Sequence, residues 1–111
     1  MSQELRRTYL DAALDYYGVV DEGDDVVLED GEEIPRWLAI TAAGESRYGT
    51  VHHSLTLAKD RAVPHAEDNI FAESPIAIVD LDTGRVRAPA FYRVAWVAQP
   101  RLEVRDESAI A

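Results

Sequence analysis

The spacing of apolar residues predicts a helix over residues 2–17. Five apolar residues recur there at helical spacing: Leu5, Tyr9, Ala12, Ala13 and Tyr16. Four charged residues fall on the opposite side: Glu4, Arg7, Asp11 and Asp15. Ser2 is suited to cap the first amide groups of the helix, and Gly18 can adopt the left-handed conformation that ends it.

Beyond Gly18 the pattern changes to that of β-strands. Residues 26–28 and 37–41 are rich in β-forming side chains, and Asp30-Gly31 between them suits a tight turn. These two segments therefore predict a hairpin. Because Pro35 has no amide hydrogen, we expect the second strand to pair fully only beyond it. Residues 43–46 are predicted to form a loop.

Residues 47–57 are ambiguous, because a strand pattern and a helix pattern compete there. An alternating set predicts a strand: Val51, His53, Leu55 and Leu57. A helically spaced set predicts a helix: Val51, Leu55, Ala58 and Ala62. We favour a helix over residues 54–72 that is capped by Ser54. Pro64 lies inside this helix and is expected to kink or split it.

The last third of the chain predicts antiparallel strands. Segments 76–79 and 85–87 flank a turn at Asp82-Thr83-Gly84, and residues 91–97 form a third strand that Pro100 stops. The tail from Arg101 is expected to fray, apart from an edge strand that 102–104 can form. Together the elements predict a single α+β domain of 111 residues. It is expected to contain a four- or five-stranded, mainly antiparallel sheet with two helices (about 2–17 and 54–72) packed on one face.

Composition excludes several classes of protein. The chain has no cysteine, which rules out disulfides, thiolate catalysis and cysteine-based zinc sites. No apolar stretch approaches the roughly 18 residues that a membrane-spanning helix needs. The first seven residues also lack the apolar run of a signal peptide. We therefore expect a soluble, cytoplasmic protein that does not bind membranes.

The distribution of charge is the most unusual feature of the sequence. A net charge of −10 argues against direct binding to nucleic acid, since phosphates repel it. Residues 21–33 contain eight acidic residues and no basic residue. Residues 84–105 contain five arginines against Glu103 alone: Arg85, Arg87, Arg93, Arg101 and Arg105. We expect these oppositely charged segments to meet, within one chain or between two chains.

The segment from Ile78 to Gly84 is the strongest candidate for chemistry. Its apolar residues followed by Asp82-Thr83-Gly84 resemble the catalytic loop of retroviral-type aspartic proteases, which would imply two carboxylates sharing a proton across a dimer axis. That family has a small residue where this chain has Arg85. The pair Asp80 and Asp82 also resembles the first motif of haloacid-dehalogenase-type phosphatases, which would imply Mg²⁺ binding, although that motif continues Gly-Thr rather than Thr-Gly. The alternative, which we favour, is a hairpin turn in which Asp82 accepts backbone hydrogen bonds and Gly84 has a positive φ.

Other motifs for catalysis or metal binding are weak. His52, His53 and His65, with Glu67 and Asp68 nearby, form the one plausible metal set. Adjacent histidines point in different directions, so we predict no metal site. The chain contains no Gly-x-Ser-x-Gly, no phosphate-binding lysine loop and no Gly-x-Gly-x-x-Gly. We therefore predict no catalytic residue and no cofactor.

These exclusions favour a small acidic, non-catalytic interaction module that binds a protein partner or forms a homodimer. Phe91 and Tyr92 are adjacent in a predicted strand, so one of their rings is expected on the less covered sheet face, where it can anchor a partner. The predicted partner-binding residues are Asp21, Glu22, Asp24, Asp25, Glu29, Asp30, Arg87, Phe91, Tyr92 and Arg93. Two alternatives remain: a nucleic-acid mimic that inhibits a DNA-binding protein, and a small hydrolase that uses Asp80 and Asp82.

Overall fold

The described residues form one five-stranded antiparallel sheet with two helices. The computed structural model describes residues 3–19, 33–62, 74–90 and 95–102. Its elements are α1 (Gln3–Tyr17), β1 (Trp37–Ala43), β2 (Ser46–His52), α2 (Leu55–Ala62), β3 (Ser74–Asp80), β4 (Arg85–Pro89) and β5 (Trp96–Arg101). The strand order is β2-β1-β3-β4-β5, and every neighbouring pair is antiparallel. The predicted α+β class is confirmed.

Helix α1 occurs where the sequence predicts it, but it is rotated relative to the predicted apolar stripe. Leu10 and Ala13 are its buried residues, whereas Leu5 and Tyr16 are exposed. The helix ends as predicted at Gly18, whose φ is 68°. The Val19 amide donates to the Leu14 carbonyl at 2.9 Å, which is the long hydrogen bond of a Schellman motif.

Each face of the sheet carries one helix, rather than both helices lying on a single face. Successive residues of a strand point to opposite faces. Leu38 and Val79 pack with α1 in a cluster that includes Leu10, Ala13, Ile34, Ile40, Ala77, Leu81, Val86 and Leu102. The alternate residues Ala39 and Ile78 pack instead with Ala58 and Ala62 of α2. The small alanine side chains let α2 lie close to β1 and β3.

The hairpin partner of β1 is β2. Residues 43–46 form a tight turn between these strands rather than a loop, with Gly44 at a φ of 64°. Residues 26–28, the predicted hairpin partner of β1, lie outside the described residues. Among the described strands, β2 and β3 pair along the two edges of β1. Both edges of this central strand are therefore satisfied by later parts of the chain.

The ambiguous segment 47–57 contains most of a strand and the start of a helix. The alternating pattern belongs to β2, which ends at His52, and the helical pattern belongs to α2, which begins at Leu55. The hydroxyl of Ser54 accepts the Leu57 amide at 3.1 Å, so Ser54 is the predicted cap. The described part of α2 ends at Ala62, before Pro64, and the predicted continuation to residue 72 lies outside the described residues.

Strand β5 ends later than predicted. It runs through Pro100 to Arg101, and Leu102 is buried in the α1 cluster, so the expected fraying from Arg101 is wrong for these two residues. Residues 91–94, the start of the predicted strand, lie outside the described residues. The amides of Ala90 and Leu102 donate to Ala95 and Gly84 carbonyls at 2.7 Å each. By the alternation of an antiparallel ladder, the Ala90 bond turns the backbone groups of 97 and 99 toward β4 and those of 96 and 98 away from it. Pro100 has no partner residue on β4, because the register shifts there from Val86–Gln99 to Arg85–Arg101, so its missing amide costs the ladder no paired bond.

Candidate interaction site

The turn between β3 and β4 holds the two aspartates in a network of arginine contacts. Arg36 donates from Nε and Nη2 to both oxygens of Asp80, at 3.0 and 2.9 Å. Arg6 donates from Nε to Oδ1 of Asp82 at 2.6 Å and from Nη2 to Oδ2 at 3.3 Å. Arg6 also donates to the Ile34 carbonyl at 2.6 Å. These contacts fasten α1 and the segment before β1 to the turn.

The backbone of the turn is held by Asp80 rather than by Asp82. The Asp80 carboxylate accepts the amide of Asp82 at 3.0 Å, and the Asp80 carbonyl accepts the amide of Gly84 at 2.7 Å. The expectation that Asp82 would accept backbone hydrogen bonds is corrected, because its carboxylate binds Arg6 instead. The expected positive φ of Gly84 is confirmed at 74°.

The charges in this network stabilise each other. Burial raises the pKa of Asp80, but the hydrogen bonds from Arg36 and from the Asp82 amide outweigh that effect, so the pKa lies below its ordinary value. The hydrogen bond to Asp82 raises the pKa of Arg6, and the hydrogen bond to Asp80 raises the pKa of Arg36. The Asp80 carboxylate and both guanidinium groups are consequently charged at neutral pH.

This arrangement differs from the geometry that acid–base or metal chemistry at Asp80 and Asp82 would use. Two carboxylates share a proton when their like charges face each other without neutralisation. Here Asp80 faces Arg36, Asp82 faces both Arg6 and Arg36, and the Asp82 side chain is only 3% exposed. The geometry supports a structural role, in which the ion pairs join α1 to the sheet.

The histidines are dispersed. The ring Nε2 of His52, on β2, lies 2.8 Å from the Thr50 hydroxyl. Burial lowers the pKa of His52, as does the nearby charge of Arg61. His53 is exposed, and His65 lies outside the described residues together with Glu67 and Asp68. Within residues 3–19, 33–62, 74–90 and 95–102, no group of three metal-ligating side chains comes together.

Three arginines of β4 and β5 form what we call the arginine face: Arg85, Arg87 and Arg101. Val86 points into the α1 cluster, so its neighbours Arg85 and Arg87 lie on the opposite side of β4. Arg85 is the direct cross-strand partner of Arg101. Within the described parts of the chain, none of the three has a carboxylate within ion-pair distance.

The arginine face is not covered by α2. That helix packs over β1, β2 and β3, on the other half of the same sheet face. Arg85 and Arg101 are exposed, and Arg87 is partly exposed. Trp96, at the start of β5, packs at the border between the arginine face and the α2 cluster.

The reverse side of β4 and β5 contains a cleft of about 660 Å³. Its wall on the helix side is formed by Tyr16 and Tyr17, at the end of α1. Its other lining residues come from the strands and their ends: Ile76, Val86, Ala88, Gln99, Pro100, Arg101 and Leu102. Val97 lies on the same side of β5 as Gln99 and is 50% exposed. This side of β5 is therefore an apolar surface with a polar margin.

Of the predicted partner-binding residues, only Arg87 belongs to the described part of the chain. Asp21, Glu22, Asp24, Asp25, Glu29, Asp30, Phe91, Tyr92 and Arg93 lie outside it. The structure adds Arg85, Arg101 and Val97 to the candidate surface. The sequence shows an excess of arginine between residues 84 and 105. The pairing of Arg85 with Arg101 is visible only in the strand register.

Comparison with known proteins adds no relative. No protein-family model, no curated protein and no solved structure matches this chain. Among the described residues, no helix is both long enough and apolar enough to span a membrane.

Proposed function

We propose that this protein is a small, non-catalytic interaction module whose arginine face binds an acidic segment of a protein partner. The observation that carries the proposal is the pairing of Arg85 with Arg101, two exposed like charges held directly opposite each other on neighbouring strands. Like charges in this position destabilise a sheet. A bound carboxylate between them removes that repulsion and satisfies both guanidinium groups.

The chemistry of the three side chains favours carboxylates. A guanidinium presents a planar fork of donors that matches a carboxylate or phosphate in two-point contacts. Arg6 and Arg36 already bind carboxylates in this way inside the molecule. The arginine face offers three more guanidinium groups at the surface, which lack such partners within the described residues.

The charge balance favours a short acidic protein segment over nucleic acid. The described residues include nine of the eleven basic residues but only eight of the 21 acidic ones, so the described fold is close to neutral. The other segments carry the net negative charge. A nucleic-acid duplex, with about one negative charge per 1.7 Å, is repelled by that net negative charge. A short segment on the arginine face is largely screened from charges beyond about 8 Å at physiological ionic strength.

A second copy of the chain also qualifies as the partner. Residues 21–33 contain eight acidic residues, so each copy supplies both an arginine face and an acidic segment. A symmetric dimer would use each surface twice. Opposed charges set the orientation and rate of such an association, and the apolar side of β5 can supply the buried contact that a stable interface needs.

The test compares two charge reversals that change the net charge equally. Arg101→Glu alters the arginine face, whereas Arg47→Glu alters an exposed residue on β2, at the far edge of the sheet. Binding of a fluorescent Asp- and Glu-rich peptide is measured by anisotropy at low and high salt, and molar mass is measured by light scattering after size exclusion. We expect salt-sensitive binding or dimerisation that Arg101→Glu abolishes and Arg47→Glu preserves. A monomer that does not bind the peptide at any salt concentration, or equal effects of the two variants, would refute the proposal.

A further inference from the structure

Among the described strands, β5 forms the edge of the sheet next to the arginine face. Within that set its one neighbour is β4, and its residues from Val97 to Arg101 are exposed. An edge strand of this kind presents unpaired amide and carbonyl groups that can pair with another chain. We propose that the partner's acidic segment binds in extended form, as a sixth strand added to β5. This inference rests on the proposed function.

The hydrogen-bond alternation along β5 identifies the groups that an added strand would use. The backbone groups of residues 97 and 99 face β4, as the bond from Ala90 to Ala95 and the regular register from Trp96 to Gln99 require. The amides and carbonyls of Trp96 and Ala98 therefore point outward. Pro100 stands at the register shift and has no amide, so the regular pairing ends before it. The site is thus short, with two donors and two acceptors.

The two sides of β5 define the side chains of the added strand. One side continues the arginine face, with Arg87 and Arg101 flanking the small side chain of Ala98. The other side presents Val97, which is 50% exposed and lies next to the cleft beside Tyr16. Because side chains of a strand alternate between the two faces, the best-fitting segment alternates acidic and apolar residues. Such strand addition takes its affinity from backbone bonds and its specificity from alternate side chains.

The edge of β2 fits this ligand less well. Its cation is Arg47, whose cross-strand partner is Ala42 rather than a second arginine. The charge complementarity that selects an acidic segment is therefore specific to β5.

The first experiment uses capped eight-residue peptides that alternate glutamate and valine, titrated into the intact protein by calorimetry. We expect binding that is lost when lysine replaces glutamate. N-methylation of the peptide amides on one edge of its strand should abolish binding, and N-methylation on the other edge should leave it unchanged. A peptide bound only through its charges would respond equally to both patterns of methylation, and that result would overturn the proposal.

The second experiment alters β5 itself. Ala98→Pro removes an outward amide without removing a bond to β4, and Ala98→Gly keeps that amide as the matched control. We expect Ala98→Pro to weaken peptide binding at least tenfold and Ala98→Gly to change it less than threefold. The methylated peptides keep the proposal testable if Ala98→Pro does not fold.

The outcomes separate this inference from the proposed function. Binding that Arg101→Glu abolishes but that neither Ala98→Pro nor N-methylation affects would overturn strand addition and leave the arginine face as the binding site. Absence of peptide binding, together with a dimer that Ala98→Pro dissociates, would show that the occupant is a second copy and would overturn the peptide partner. Absence of both would overturn the inference and the proposed function together.

Discussion

Gly84 satisfies two requirements at once in the turn between β3 and β4. Its φ of 74° lies in the left-handed region that residues with a side chain rarely adopt. A Cβ at this position would also lie within 3.0 Å of three carbon atoms of the Tyr9 ring. The turn therefore depends on glycine both for its backbone conformation and for the close approach of α1.

Gly84→Val and Gly44→Val together separate these two requirements. Gly44 also has a positive φ, of 64°, but an added Cβ there meets no atom within 4 Å. We expect a loss in the free energy of unfolding of about 1–3 kcal/mol at either position from the backbone. Gly84→Val should lose a further 1–3 kcal/mol or so, because it displaces the Tyr9 ring. Urea denaturation measures both losses, and equal losses would contradict the contact with Tyr9.

The ion pair of Asp80 predicts a loss of stability in acid. The pKa of Asp80 is lowered from 3.8 in the folded state, so its contribution is complete above about pH 4 and is lost as the pH falls through the folded-state pKa. Asp80→Asn should therefore be less stable than the wild type at neutral pH, and the difference should shrink below pH 4. Asp11→Asn, which alters an exposed pair with Arg7, is the control and should have little effect at any pH. A difference that stays constant down to pH 2 would contradict the role assigned to Asp80.

At the scale of elements, the contacts of Leu102 hold the C-terminal end of β5 in place. Leu102 follows the strand directly, is 8% exposed and packs in the α1 cluster. Its amide bond to Gly84 continues the ladder past the register shift between Arg85 and Val86. The chain is thus anchored beyond Pro100, where the sequence predicts a frayed tail.

Leu102→Ala measures the strength of this anchor. Removal of a buried leucine side chain is expected to lower the free energy of unfolding by about 2–5 kcal/mol. Val97→Ala removes a smaller and half-exposed side chain from the same strand, and its effect should be below about 1 kcal/mol. Thermal or urea denaturation gives both values. Similar small losses would mean that the end of β5 is not anchored by Leu102.

The local patterns predicted the elements better than their partners. The period and caps identify α1, and alternation with turn residues identifies β3, β4 and the turn at Gly84. Pairing is not encoded in those local signals. Asp30-Gly31 suggested a hairpin with β1, whereas Gly44 makes the hairpin that β1 forms. Pro100 was expected to stop a strand. A strand tolerates proline where no paired amide is needed, and only the pairing of the strands determines where that is.

The candidate site was only partly predictable for the same reason. The excess of arginine near the end of the chain is visible in the sequence, and Arg87 was identified from it. The opposition of Arg85 and Arg101 results from the register shift in the β4–β5 ladder, which no local pattern specifies. Likewise, the salt bridge from Arg6 to Asp82 joins residues 76 positions apart.

At the scale of the whole molecule, both hydrophobic clusters are built on the same two strands. Residues 38 and 79 belong to the α1 cluster, and their neighbours 39 and 78 belong to the α2 cluster. Neither cluster can separate from the sheet without disturbing the strands that carry the other. We therefore expect one cooperative unfolding transition.

Two probes test this cooperativity independently. Both tryptophans of the chain, Trp37 and Trp96, pack against the α2 cluster, so their fluorescence reports on that face. The longer helix α1 contributes most of the helical far-ultraviolet circular dichroism of the described elements and reports on the opposite face. The two thermal midpoints should coincide. Midpoints that differ by several degrees would show that the faces unfold separately.

The order of strands also divides the sheet into two ribbons that are each continuous in sequence. One ribbon is β1 with β2, the other is β3 with β4 and β5, and the β1–β3 ladder is the seam between them. Ribbons with short turns close quickly, whereas the seam joins segments separated by β2, α2 and the chain beyond it, so its formation should limit the folding rate. Ile78→Val, at the seam, should then slow folding, and Leu102→Ala should mainly accelerate unfolding. Stopped-flow measurements of both rates against urea would reveal this division, and a seam substitution that changes only the unfolding rate would exclude it.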